Sequence, residues 1–401
     1  MKTRFKMITR LRDRCGAVMG ALAVATAVGS LALATVAAQA PAASAGGKAP
    51  RTAWGTPDLQ GIWANMQVVP LERPKEFGTR EFKTDEEMAK AKQDLIDAKA
   101  NRGPGRDSRT VGGKPAIGTE KDVARAYNDF WFGEPLTTPG RRTSQLVDPP
   151  DGRMPPATEA VTKARADKRE YLQALLQGTT GGKPGPISPR RSERSPDYNL
   201  DRINRSDGPE DRAGGERCLG GGPPTVLGAG GISGSYQIVQ SNDSVAFYYD
   251  LGQGQGYSLV VPITNVPHLP SNIREYRGDP RARWEGDTLV VDTTNFTQKT
   301  DFQGSRGNLH IIERYRRIDP NTLEYKLTAD DPTAWTKPWT LVQELTKQSD
   351  KDNLVIEGAC HEGNYGLLGM LSNTRAAEKL FREGKGPNPD LQDNATGGLA
   401  E

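Results

Sequence analysis

The chain has 401 residues, which is enough for one large domain or two small ones. It contains 45 Gly and 29 Pro, and apolar residues make up only 35% of it, so the composition favours a loop-rich protein over a compact α/β enzyme. The formal charge of +3 depends on residues 1–40, which hold six basic residues and one acid; without them the charge is about −2. This near-neutral balance excludes the strongly basic surface that nucleic-acid binding requires.

Residues 1–40 are predicted to be a signal peptide. A basic stretch is followed by residues 16–38, which include no charged residue, and Ala38-Gln39-Ala40 and Ala43-Ser44-Ala45 are candidate small-residue cleavage sites. The segment lacks paired arginines, so Sec-type export to the periplasm or the medium is predicted. The apolar run is also long enough to span a bilayer, so an uncleaved anchor is the alternative and the only membrane contact expected.

Two cysteines, Cys218 and Cys360, follow the signal peptide. In an oxidising compartment such a pair is a disulfide candidate. The bond would close a loop of about 140 residues and contribute up to ~5 kcal/mol through chain entropy. Two buried free thiols are the alternative.

The first half of the mature chain is predicted to be irregular and partly helical. Residues 41–53 form a linker, and an arm over 54–232 begins with a strand at Gly61-Ile62-Trp63, which carries the Gly-x-Trp pattern of a lipocalin first strand. Thr84 and Glu87 form a capping box, which indicates that a helix begins there. The helices predicted in the arm cover 85–99, 120–132 and 158–176.

From residue 233 the pattern changes to short strands with no helix between them. The segments are rich in β-branched and aromatic residues and are separated by turn residues. The predicted strands are 235–241, 244–251, 257–263, a hairpin at 281–296, 308–318, 322–328, 339–346 and 353–360. The pattern favours a mainly β fold, an antiparallel meander that forms a barrel-like (lipocalin-like) domain over 233–384. A helix at 373–383 ends this domain, and 385–401 is predicted to be a disordered tail.

Several strings resemble a family of exported bacterial proteins that has no assigned activity. They include TPDLQGIW at 56–63, WEGDTLVVDTTNF at 284–296 and ACHEGNY at 359–365. The resemblance covers roughly residues 54–380. It implies export and a single long domain, and it implies no reaction, cofactor or partner.

The chain has only three histidines, His268, His310 and His361, and all lie in the β half. Three imidazoles could bind Zn²⁺ or Cu²⁺, so these residues are the candidate ligands of a divalent metal. The chain contains no closely spaced pair of histidines to seed such a site. The expectation is therefore that no cofactor is bound and that each imidazole is a hydrogen-bonded pocket or surface residue.

Strand parity places an acid among apolar residues. Glu313 shares one strand face with Ile311 and Tyr315, whereas His310 shares the other face with Ile312. A buried Glu313 is expected either to pair with an arginine or to lie in a ligand cavity with a raised pKa, and Asp292 presents the same choice. The candidate catalytic residues are His310, Glu313, His361 and Asp292.

The Cys360-His361-Glu362 string does not favour a Cys–His nucleophile. Neighbouring residues on a strand point to opposite faces, so Cys360 suits a disulfide and His361 suits an acid–base or binding role. Arginines next to Trp284 could form an anion-binding or sugar-stacking rim, or a solvated charge cluster. The candidate ligand-binding residues are His268, Arg274, Arg283 and Glu362.

Three functions fit this sequence. The first is binding of a small molecule in a barrel cavity with a polar mouth, since barrels of about eight strands can hold one ligand. The second is acid–base catalysis by a hydrolase, lyase or isomerase that uses the same residues, with or without a metal. The third is a structural or interaction role in the cell envelope. The sequence does not indicate an oligomeric state.

Overall fold

The structure is a computed structural model. It describes residues 49–102, 110–111, 114–115, 137–179, 184–198, 200, 202, 205–212, 217, 226–227, 235–250, 256–349 and 365–392. The strands of this part of the chain are β1 (Gly61–Ala64), β2 (Gln67–Val68), β3 (Thr110–Val111), β4 (Lys114–Pro115), β5 (Thr138–Pro139), β6 (Leu146–Asp148), β7 (Ser235–Gln240), β8 (Ser244–Asp250), β9 (Tyr257–Pro262), β10 (Asp279–Glu285), β11 (Thr288–Thr294), β12 (His310–Asp319), β13 (Thr322–Asp330) and β14 (Trp339–Lys347). The α-helices are α1 (Asp85–Arg102), α2 (Glu159–Leu175) and α3 (Tyr365–Arg382).

Ten of these strands form one antiparallel sheet: nine follow the order β10-β11-β12-β13-β14-β1-β7-β8-β9, and the short strand β6 also pairs with β14. The two edges of the sheet meet, because Ile263 forms a bridge with Ala282 and the Thr264 amide donates to the Ala282 carbonyl at 2.9 Å. The sheet is therefore nearly closed and barrel-like. This confirms the mainly β, antiparallel, barrel-like fold predicted from the sequence.

Alternation along the strands sorts side chains between the inside and the outside of the sheet. In β13, Leu323, Tyr325, Leu327 and Ala329 are buried, and the residues between them are partly exposed. Strand β12 repeats the pattern with period two, as expected for a strand with one face in a core. The inward-facing residues of the sheet form most of the hydrophobic core of the described residues, and residues outside the strands, among them Leu59, Val161 and Trp335, extend it.

The short strand β1 joins the two parts of the sheet. Trp63 is paired in register with Lys347 of β14 on one side, and Ile62 with Gln237 of β7 on the other. The Trp63 indole is buried, donates its N–H to the Leu59 carbonyl at 2.8 Å, and is covered by the Arg317 guanidinium, 5.2 Å from the ring centre. The predicted first strand of the arm is thus a strand of the same sheet as the segments after residue 235.

The helices begin at side-chain caps where these are described. Thr84 and Glu87 form the predicted capping box, with bonds of 2.8 and 3.2 Å between the side chain of each residue and the backbone amide of the other. The Thr158 hydroxyl caps α2 by accepting a hydrogen bond from the Val161 backbone amide. Helix α3 begins eight residues before the predicted start. Its first turns contain Gly366 and Gly369, and because glycine has a low helix propensity, the sequence did not indicate a helix there.

Two predicted elements, the helix at 120–132 and the strand at 353–360, lie outside the described residues. Among the residues that the structure describes, no helix combines the length and the apolar character needed to cross a membrane.

The packing around Gly278 gives a direct test of the fold at the start of β10. Gly278 and Gly286 both have positive φ, +72° and +60°, so an alanine at either position is strained by about 1–2 kcal/mol. A Cβ at Gly278 would also lie 2.6 Å from Thr293 Cγ2 and 2.7 Å from the Thr294 carbonyl, whereas one at Gly286 would meet no described atom within 4 Å. We expect Gly278→Ala to cost a further ~1–3 kcal/mol of unfolding free energy relative to Gly286→Ala, measured by urea denaturation. Equal losses in the two variants would contradict the close packing of Gly278 against β11.

Candidate functional site

Three polar residues converge on the outer face of the barrel, where β11 and β12 meet the segment between β9 and β10. Asp292 points outward from β11, because Val291 and Thr293 on either side of it are buried. Asp292 is paired in register with Ile312, so His310 is its diagonal neighbour on the same face of β12. His268 reaches this point from the loop over 264–278. We call these three residues the His–Asp–His cluster.

One carboxylate oxygen lies at the centre of the His–Asp–His cluster. Asp292 Oδ1 is 2.9 Å from His310 Nε2 and 3.3 Å from His268 Nε2. The side chains are partly open to solvent, with exposed fractions of 24% for Asp292, 38% for His310 and 27% for His268. A small molecule could therefore reach the cluster from outside the barrel.

A second carboxylate holds the other side of His268. Asp279 Oδ2 lies 3.3 Å from His268 Nδ1 and accepts the Leu269 backbone amide at 2.8 Å. The other oxygen of Asp279 is 2.5 Å from Arg281 Nη1. His268 is thus held between two carboxylates, and Asp279 is itself buried and fixed by three partners.

The hydrogen bond between His310 and Asp292 shifts the pKa of both groups. It raises the pKa of His310 above the ordinary value of 6.5, although partial burial acts in the opposite direction; the charge of Asp330, paired in register with His310 on β13, also raises it. The same bond lowers the pKa of Asp292 below 3.8, and the charge of His268 adds to this effect.

These directions define the pH range in which the pair stabilises the fold. The contribution of His310 is fully present below pH 6.5 and is lost as the pH rises through its folded pKa. The contribution of Asp292 is present above pH 3.8 and is lost as the pH falls through its own folded pKa. The pair is therefore strongest between these limits.

The geometry of His310 suits proton transfer. Its Nε2 is bound to Asp292, and no hydrogen bond to Nδ1 is found among the described residues. A carboxylate that orients one ring nitrogen and stabilises the imidazolium leaves the other nitrogen able to take or give a proton. Asp292 and His310 therefore have the geometry of an acid–base dyad, and His268 acts on the same carboxylate.

Glu313 lies on the opposite face of β12, inside the barrel, with an exposed fraction of 4%. The phenols of Tyr325 and Tyr315 donate to its Oε1 at 2.8 and 3.1 Å. Burial raises the pKa of Glu313, and the two phenol hydrogen bonds only partly offset this. No ion pair between Glu313 and an arginine is found in the described part of the chain; of the two alternatives drawn from the sequence, the raised pKa is present, and two phenols are the hydrogen-bond partners.

The two candidate arginines have different surroundings. Arg283 Nη1 lies 4.0 Å from Asp292 Oδ2, at the edge of the His–Asp–His cluster, and Nη2 is 2.7 Å from Glu285. Arg274 donates to the carbonyls of Phe296 and Gly307 and so connects two loops. These bonds give Arg274 a structural role. The structure therefore places Arg283 at the cluster and Arg274 away from it.

Four of the predicted site residues, His361, Glu362, Cys218 and Cys360, lie outside the described residues, and so does the predicted disulfide. Within the ranges that the structure describes, no group of three His, Cys, Asp or Glu side chains has the geometry to hold a metal ion. The three-histidine metal site stays a prediction, because only two of its members can be placed.

Sequence reasoning missed Asp279, which orients His268. One sequence feature points to it: Asp279, Arg281 and Arg283 occupy alternate positions of β10, so they share the outer face of the sheet with Asp292. The contact itself depends on the path of the 264–278 loop, which no residue pattern reports.

A separate cavity of about 440 Å³ lies between α1 and β5. It is lined mainly by apolar side chains of the helix, including Met88, Leu95 and Ile96, and Lys92 is its one charged lining residue. It contains none of the predicted site residues, so it is distinct from the His–Asp–His cluster.

The contact between Asp292 and His310 predicts the titration of one histidine. With only three histidines in the chain, each imidazole can be followed by NMR. We expect the midpoint of the His310 titration to lie above pH 6.5. Asp292→Asn should lower this midpoint, because the amide carries no charge to stabilise the imidazolium. Asp287→Asn is the matched control, since Asp287 lies in the β10–β11 turn and pairs with Arg51. An unchanged His310 midpoint in Asp292→Asn would contradict the dyad.

The buried carboxyl of Glu313 predicts a loss of stability in the barrel interior as the pH rises, opposite to the pH dependence of the Asp292 contribution. Because the pKa of Glu313 is raised in the fold, its contribution to stability is fully present below the unfolded value near 4.5 and is lost as the pH rises through the folded pKa. Glu313→Gln keeps the shape and has no proton to lose. We expect its unfolding free energy, relative to the parent protein, to be higher at pH 8 than at pH 4 in urea denaturation. Glu324→Gln, which removes a partly exposed partner of Arg316, should not show this trend.

Comparison with known proteins adds no further assignment to this site. No protein-family model and no curated protein matches the chain. The resemblance carried by the strings at 56–63, 284–296 and 359–365 therefore stays a prediction.

Proposed function

We propose that this protein is an exported enzyme that performs acid–base chemistry on a small polar molecule at the His–Asp–His cluster. His310 is the proton donor and acceptor, and Asp292 orients it and stabilises its charged form. His268 holds the Asp292 carboxylate from the other side. The reactions open to such a site are hydrolysis, elimination and isomerisation, each of which needs a proton moved at a defined atom.

The observation that carries this proposal is the shared oxygen of Asp292. Two imidazoles from distant parts of the chain contact the same Oδ1, at 2.9 and 3.3 Å, on a face that solvent can reach. Convergence of titratable groups with perturbed pKa values at one accessible place is a physical indicator of a functional site. His310 Nδ1 has no hydrogen-bond partner among the described residues, which proton transfer requires and a purely stabilising charge cluster does not.

The filling of the barrel interior also supports a site on the outer face. The inside of the sheet is occupied by buried aromatic side chains, among them Tyr236, Phe247, Tyr249, Tyr315 and Tyr325. Their rings are in mutual contact, with centroids 4.9 to 6.0 Å apart. Side chains fill the lumen much as they do in other small barrels. Small-molecule binding inside the barrel, the first expectation from the sequence, stays a prediction.

Export to the periplasm or the medium is proposed from the sequence of residues 1–40 alone. The acidic and basic residues after that segment nearly balance, which suits a neutral or polar small molecule as partner better than a polyanion. A divalent metal stays a prediction, and the acid–base chemistry of His310 and Asp292 does not depend on it.

The proposal can be tested without knowing the natural substrate. p-Nitrophenyl acetate reports an imidazole that is activated by its surroundings, through release of p-nitrophenolate. We expect His310→Gln to reduce the protein-dependent rate at least about tenfold, because a positioned acid–base group contributes that much or more. The rate should rise with pH as His310 loses its proton, and Asp292→Asn should move this rise to lower pH.

Two comparisons control this experiment. Asp287→Asn should keep the rate and the pH profile of the parent protein, because its carboxylate lies at the turn of the same hairpin. Free imidazole at the same concentration of histidine gives the rate of an unactivated ring. A parent protein no faster than free imidazole, or a His310→Gln variant that retains the full rate, would contradict the proposal.

A further inference from the structure

The side chain of Asn295, at the end of β11, contacts the middle of the loop that carries His268. Asn295 directly follows β11 and has a φ of +59°, one of two positive values among the described non-glycine residues. Asparagine adopts this left-handed conformation more readily than most residues. Asn295 is therefore a special backbone position three residues from Asp292.

The Asn295 amide faces three carbonyl groups of the loop. Nδ2 lies 2.9 Å from the Leu269 oxygen, 3.2 Å from the Pro270 oxygen and 3.0 Å from the Ile273 oxygen. The Asn295 backbone carbonyl in turn accepts the Glu275 amide at 2.9 Å. One residue thus fixes both the middle and the end of the 264–278 loop against β11.

These contacts determine where His268 lies. Leu269, the next residue, is held on both sides of its backbone: its amide donates to Asp279, and its carbonyl accepts from Asn295. The His268 ring lies 3.3 Å from the same Asp279 carboxylate and 3.3 Å from Asp292. A shift of the Leu269 carbonyl would therefore move His268 relative to Asp292, while His310 on β12 would keep its place.

We propose that Asn295 is a positioning residue of the acid–base site, which holds His268 against Asp292 and so sets how much of the Asp292 charge is available to His310. This inference rests on the function proposed above. Asn295 does not touch the reacting groups, and it acts only through His268. Its amide and its left-handed conformation are both used, since glycine could adopt the conformation but could not bind the three carbonyls.

The test compares Asn295→Gly with His268→Asn by NMR titration of His310. Asn295→Gly keeps the backbone conformation and removes the amide, so the fold is expected to persist. His268 and His310 share one oxygen, so losing either the His268 ring or its position should raise the His310 midpoint by a few tenths of a pH unit. The double variant should show no larger shift than His268→Asn alone, because both changes remove the same interaction.

Gln303→Gly is the matched control for the glycine substitution. Gln303 is the other described non-glycine residue with positive φ, +53°; it is exposed, and its backbone carbonyl accepts from Arg165 of α2. It should leave the His310 midpoint unchanged. A merely structural role for Asn295 would lower the melting temperature without moving that midpoint.

The outcomes separate this inference from the proposed function. If Asp292→Asn leaves the His310 midpoint unmoved, the dyad and the proposed function both fail. If Asp292→Asn lowers the midpoint but Asn295→Gly leaves it at the parent value, only the role of Asn295 is overturned. That role is also overturned if His268→Asn itself has no effect on the His310 midpoint.

Discussion

The arrangement of the whole molecule depends on the insertion of β1 between β14 and β7. Without β1, the strands β7 to β9 and β10 to β14 would share no ladder, and only the 264–278 loop and the bridge between Ile263 and Ala282 would join them. Pairing of Ile62 and Trp63 with both neighbours makes one continuous sheet that can curve until β9 meets β10. The buried Trp63, with Arg317 over its ring, gives this four-residue strand an anchor that its length alone would not supply.

Closure of the barrel also creates the candidate site. Once β9 lies beside β10, the loop between them must pass over the end of β11, where Asn295 binds three of its carbonyls. His268 is thereby brought to an aspartate 24 residues further along the chain and to a histidine on the next strand. The cluster is a consequence of the sheet order, not of any local motif.

Two acids on neighbouring strands show how the face of a sheet decides chemistry. Glu313 faces inward, is surrounded by phenols, and has a raised pKa because burial disfavours its charge. Asp292 faces outward, is contacted by two imidazoles, and has a lowered pKa because its charge is hydrogen-bonded. A protein can give two carboxyl groups different roles by placing them in environments that shift their pKa values in opposite directions. Here the outer carboxylate is the one that a solute can reach.

The sequence by itself determined the class of fold, the alternation of faces and the limits of most strands, because period-two patterns and turn residues are local properties of the chain. It also determined that Glu313 and His310 lie on opposite faces of β12, and it marked Asp292 as a residue to consider. Only the tertiary structure decided that His268 and His310 share one oxygen of Asp292, that two phenols are the hydrogen-bond partners of Glu313, and that Arg274 is a structural contact. These contacts join residues that are distant along the chain, and they depend on barrel closure and on the path of the 264–278 loop. Neither barrel closure nor the loop path produces a periodic residue pattern in the sequence. Asp279 and Asn295 could not be predicted for the same reason: each forms a hydrogen bond with the loop backbone, Asp279 accepting the Leu269 amide and Asn295 donating to the Leu269 carbonyl, and these backbone groups do not depend on the residue type at position 269.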